Sequence, residues 1–102
     1  MKYNKLIRDK IPVILKRKKV RFVTHIASDK EYQQKLNTKL QEEVDEFVKE
    51  HNAEELVDIL EVIYAICDLY QLDKAKLEQL RIDKADQRGR FKDKIILDEI
   101  KE

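Results

Sequence analysis

Four carboxylates in the middle of this 102-residue chain, Glu43, Glu46, Glu55 and Asp58, stand at spacings that suit joint chemistry. They lie in two short acidic groups, Glu42-Glu43-Val44-Asp45-Glu46 and Glu55-Leu56-Val57-Asp58. On a helix, residues three apart share a face, so each group can present a pair of acids in one direction. Carboxylates gathered in one place cannot all stay ionised without a cation between them. A ligand set made only of oxygen points to a hard ion, Mg²⁺ or Mn²⁺, rather than zinc. Mg²⁺ keeps several waters and completes its shell with phosphate oxygens, which suits attack of water on a phosphoanhydride. A di-iron bundle would require Glu-x-x-His on its helices, and neither His25 nor His51 is so placed.

The elements that would carry these acids are helices. With one Gly and one Pro, the chain lacks the turn residues that a sandwich or barrel needs. A short helix is predicted over residues 10–18, opening near Pro12. Ser28 or Asp29 caps a long helix running to about Glu50, and Asn52 or Ala53 opens a second that ends near Tyr70. A third runs from about Asp73 to Arg88, where Gly89 stops it. Residues 20–27 are partly alternating and β-branched, and residues 94–100 are apolar, so the two segments have room for one short two-stranded β pairing. The expected fold class is therefore mainly α, an antiparallel helical bundle with that optional pairing.

Helical periodicity puts the acids in unusual places. At about 100° per residue, with Leu36 as zero, Leu40, Phe47 and Val44 form an apolar stripe from roughly 20° to 80°. Glu43 falls at about −20°, inside the stripe, and Glu46 at about −80°, on its edge. With Leu56 as zero, Glu54, Glu61 and Asp68 make a solvated stripe, whereas Glu55 and Asp58 fall away from it at about 260° and 200°. A carboxylate on a core face costs several kcal/mol unless it is paired or bound to metal. Acids at this spacing are also common on solvated helices. Periodicity alone leaves a metal site and a charged surface both open.

Charge is distributed unevenly along the chain. Residues 1–21 hold nine Lys or Arg against one acid, residues 41–61 nine acids against one Lys, and residues 81–94 six bases against three acids. An acidic centre between basic ends suits a metal with a polyanion gripped around it. Cys67, the one cysteine, excludes an intramolecular disulfide and a Cys-rich zinc site, and its apolar setting suits a buried thiol. No signal peptide or membrane-length apolar run is visible, so a cytoplasmic protein without membrane contact is expected.

The sequence resembles the MazG-like, all-α nucleotide pyrophosphohydrolase superfamily and its phosphoribosyl-ATP pyrophosphohydrolase relatives. The resemblance lies first in Glu42-Glu43-Val44-Asp45-Glu46 and Glu55-Leu56-Val57-Asp58, which match the family's Glu-Glu-x-x-Glu and Glu-x-x-Asp. It extends to Asn4-Lys5-Leu6-Ile7-Arg8-Asp9-Lys10-Ile11-Pro12 and to Asp86-Gln87-Arg88-Gly89-Arg90-Phe91 with Lys94-Ile95-Ile96-Leu97, which are similar to one subgroup's opening and close. It implies a single such domain over residues 1–102, with Mg²⁺ ligation by Glu43, Glu46, Glu55 and Asp58. It further implies cleavage between the α and β phosphates of a nucleoside triphosphate, a deoxynucleoside triphosphate or a phosphoribosyl-ATP-like substrate. Glu42 would then orient or deprotonate the attacking water.

Other expectations follow. Lys84 and Arg88 share a face of the third helix, and Arg8 lies beside a helix start, so with the resemblance these three are the expected phosphate-binding residues. Tyr32, Tyr64 and Phe91 suit core packing more than stacking on a base. The chain has no room for the extra helices of larger relatives. A homodimer or higher homo-oligomer is expected to cover Ile59, Leu60, Ile63 and Tyr70. Two rival functions stand beside the enzyme: a non-catalytic helical interaction module, and a small nucleic-acid-binding protein using Lys16, Arg17, Lys18, Lys19 and Arg21. Nucleic acid is disfavoured because the acidic centre would repel a phosphate backbone.

Overall fold

A computed structural model describes residues 2–101. Its elements are α1 (Ile11–Arg17), α2 (Asp29–Glu50), α3 (Ala53–Leu69) and α4 (Lys74–Arg88), with no strand among the described residues. The fold is mainly α, as the scarcity of turn residues predicts.

Local chemistry sets the helix ends. Pro12 lies in the first turn of α1, where its missing N–H costs no intrahelical bond. The far end of α1 closes with Lys19 in the left-handed region at φ 59°: Lys19 N–H donates to Lys16 O, and Val20 N–H to Leu15 O. Ser28 caps α2, its Oγ accepting from Glu31 N–H at 3.2 Å. The Glu31 carboxylate meets His25 Nε2 at 2.9 Å, which ties the preceding segment to the helix start. Between α2 and α3 stand only His51 and Asn52. His51 is left-handed at φ 57° and its N–H closes on Phe47 O, while Asn52 Oδ1 accepts from Glu55 N–H at 3.2 Å. So short a connection folds α3 back along α2 as an antiparallel hairpin, and the two helices pack closely.

The chain forms two compact units, one extending to Gln71 and the other beginning at Leu72. The first holds α1, α2 and α3. Its core is thin, with Leu36 (2% exposed), Val62 and Cys67 buried. Cys67 is a buried thiol, as its apolar setting predicts. The second unit holds α4, which Asp73 caps by accepting from Ala75 N–H and Gly89 ends at φ 84°.

The optional β pairing of residues 20–27 with 94–100 is not formed, since neither segment is a strand. For the first, Val20 N–H is already spent on closing α1, and Val23 and Ile26 stand almost fully exposed. For the second, Lys94 turns into the left-handed region at φ 58° and breaks the extended run at its start. A two-stranded ribbon is marginal in water, and neither segment has a third strand to support it.

Candidate metal centre

Among the described residues, one group of side chains could hold a cation: Glu43, Glu55 and Asp58. Each offers a carboxylate oxygen, and the three oxygens lie within 4.8 Å of one another. Glu43 comes from the middle of α2, Glu55 from the first turn of α3 and Asp58 from one turn further on. The two-residue connection brings the start of α3 back beside α2. The Asn52 cap then fixes the backbone at Glu55.

Glu43 is 8% exposed, the one charged residue among the buried positions described. The apolar stripe of α2 places it there. Lys39, one turn earlier, brings its Nζ to 3.4 Å from Glu43 Oε1. Asp58 is half-buried, and Arg8 Nη2 donates to its Oδ1 at 2.7 Å. Glu55 has no ion pair among the described residues. Its partial burial first, then the charges of Glu46, Asp58, Glu43 and Glu50, hold its carboxyl above the ordinary range. An acid in the first turn of a helix is otherwise favoured in its charged form.

Of the four ligands that the family resemblance implies, three lie together. Glu46 is exposed and outside the group, although its charge acts on Glu55. Its edge position on the wheel, one turn beyond Glu43, gives the physical reason. Glu42 is less than a third exposed and faces two cations, Lys5 Nζ at 3.0 Å and Lys39 Nζ at 3.9 Å from its Oε1. Arg8 reaches a carboxylate of the group itself. Lys84 and Arg88 lie on α4 in the second unit, both exposed. Phe91, expected to pack in a core, is 99% exposed.

Lys39 and Lys5 had no part in the expected site. The spacing of Lys39, three residues before Glu42 and four before Glu43, is the signal that identifies it. Lys5 pairs across 37 residues, and nothing in local spacing announces it.

The donor set fits a hard divalent cation. Oxygens bound to one Mg²⁺ at about 2.0–2.1 Å stand no more than about 4.2 Å apart, so a small inward turn of these side chains suffices. All donors are carboxylates, and no imidazole or thiol stands in the group to favour a softer ion. No helix is long and apolar enough to cross a membrane among the described residues. Compared with protein-family models, curated proteins and solved structures, the chain matches none.

Proposed function

We propose that this chain is a metal-dependent nucleotide pyrophosphohydrolase of the MazG-like kind. Water adds to the α-phosphorus of a nucleoside triphosphate or a phosphoribosyl-ATP-like substrate, and the bond from that phosphorus to the α–β bridging oxygen breaks. A nucleoside monophosphate and pyrophosphate leave. The observation that carries the reading is the convergence of Glu43, Glu55 and Asp58 within 4.8 Å, with Glu43 buried. Lys39 offsets part of the cost of burying Glu43, and a cation shared by the three carboxylates would offset the rest.

Glu43, Glu55 and Asp58 would hold Mg²⁺ (or Mn²⁺), and Glu46, one turn along α2 from Glu43, adds negative charge that acts on Glu55. When bound, the ion neutralises phosphate charge and makes water a stronger nucleophile. Glu42 orients or deprotonates that water, held in place by Lys5 and Lys39. Arg8, beside the cluster, binds phosphate oxygens. The chain acts in the cytoplasm and self-associates as a homodimer or higher homo-oligomer through the exposed side of α3.

The test is pyrophosphate release from a panel of NTPs, dNTPs and phosphoribosyl-ATP, with and without Mg²⁺, for the natural chain and Glu43→Gln. Metal-dependent release is expected from one or a few substrates, with a loss of about a hundredfold or more in the variant. Folded protein that releases nothing under any condition would leave the interaction module as the better reading.

A further inference from the structure

The segment ahead of α1 is tethered to the helical hairpin at three points. Lys35 Nζ donates to the Asn4 carbonyl at 2.8 Å, Lys5 Nζ pairs with Glu42 at 3.0 Å, and Arg8 Nη2 donates to Asp58 at 2.7 Å. The first two partners are on α2 and the third on α3, so the segment bridges both helices. Asn4 is left-handed at φ 52°, a conformation that Asn tolerates better than most residues.

This tether carries a guanidinium to one of the three clustered carboxylates. A divalent cation on the same carboxylate would repel it, because two positive groups would share one anionic partner at close range. Lys5 and Lys35 do not touch the cluster. Their contacts can persist when the Arg8 contact breaks, which keeps Arg8 beside the site.

We propose that Arg8 is a displaceable internal counter-ion: it neutralises Asp58 while the cluster holds no divalent cation, and cation binding releases it to grip the diphosphate of the anionic ligand. The inference rests on the metal reading above and adds an order of events to it. Arg8 and the cation exclude one another at Asp58, whereas Arg8 and the phosphate attract. The guanidinium suits the second task, because its fork matches two phosphate oxygens.

The experiment titrates Mn²⁺ alone into the full chain, reading free Mn²⁺ by electron paramagnetic resonance, for the natural protein, Arg8→Gln, Arg8→Lys, Lys5→Gln and Glu43→Gln. Arg8→Gln should bind Mn²⁺ about two- to fivefold more tightly, the worth of a half-exposed ion pair. Arg8→Lys should stay near the natural value. Lys5→Gln changes net charge equally but should alter the affinity less. The manganese complex of inorganic pyrophosphate should bind Arg8→Gln about tenfold more weakly, since a charge-assisted hydrogen bond is lost.

These opposite shifts distinguish a displaced counter-ion from a surface charge. If Arg8→Gln binds Mn²⁺ no more tightly, or Lys5→Gln tightens it as much, the inference fails while the metal reading stands. If pyrophosphate binding is unchanged in Arg8→Gln, the second half of the exchange fails in the same way. Absence of Mn²⁺ binding in every protein, or full binding by Glu43→Gln, overturns the metal site and the inference with it.

Discussion

Glu43, Glu55 and Asp58 share one cluster but differ in their relation to charge. Glu43 has Lys39 at 3.4 Å and Asp58 has Arg8 at 2.7 Å, while Glu55 has no such partner among the described residues. The cluster's unrelieved repulsion therefore falls on Glu55, whose carboxyl is held above its ordinary value of 4.5, first by burial and then by its acidic neighbours. The folded protein then binds a proton there more tightly than the unfolded chain does. Without metal, the Glu55 contribution to stability is greatest below 4.5 and declines as pH rises through the raised value. A bound cation reverses the preference, because it favours the ionised form. Two urea titrations across pH 4–8, with and without Mg²⁺, should diverge over that window, and Glu55→Gln should abolish the divergence. At a Mg²⁺ concentration of about a hundred times the dissociation constant, the ion should add about 2.7 kcal/mol at neutral pH. Parallel curves would mean that Glu55 is not a ligand.

At the scale of the elements, the joint between α2 and α3 decides whether the cluster exists. Asn52 is the N-cap of α3 and accepts from Glu55 N–H at 3.2 Å, so one side chain both starts the helix and places a member of the cluster. Asn52→Ala should cost about 1 kcal/mol of stability. It should also weaken Mn²⁺ binding, although Asn52 is not in the cluster, because the first turn of α3 would fray where Glu55 stands. Ser28→Ala, an equivalent cap lost from the far end of α2, should cost a similar amount and leave Mn²⁺ affinity unchanged. Equal effects of both variants on the ion would indicate general destabilisation rather than lost positioning.

The same elements mark what can be read from the sequence. Ser28, Asn52, Asp73 and Gly89 announce their helix ends because capping is local chemistry. Glu43 could be placed on the core face by counting turns, and so could the separation of Glu55 and Asp58 from the solvated stripe of α3. The β pairing was illegible for the opposite reason. Apolar alternation at residues 20–27 says nothing of Lys19 closing α1 with the Val20 N–H, nor of the turn at Lys94. The contacts of Arg8 with Asp58 and Lys5 with Glu42 join residues 50 and 37 positions apart, and periodicity does not reach that far.

For the whole molecule, the exposed side of α3 raises the question of self-association. Leu56, Val57, Leu60 and Tyr64 fall within roughly 100° of arc over the first part of that helix, and all four are at least 40% exposed. The buried core of the first unit is small by comparison, with only Leu36, Val62 and Cys67 buried among its described apolar residues. Scattered apolar residues need no explanation, but a contiguous stripe beside a thin core does. A second copy can supply the same stripe in return, since a two-fold interface pairs one patch with itself. Leu60, half exposed near the middle of the stripe, is the position to test. Burying a leucine is worth about 1.5–3 kcal/mol, and a charge in its place would face its own symmetry mate. If a second copy covers the stripe, Leu60→Glu should therefore weaken that association by roughly ten- to hundredfold in dissociation constant, measured by sedimentation equilibrium. Lys76→Glu, on α4 and outside the stripe, should leave association unchanged. If the natural chain sediments as a monomer at every concentration, a second copy does not cover the stripe, and the half-exposed Glu55 and Asp58 at the start of α3 must hold their positions without a partner's support.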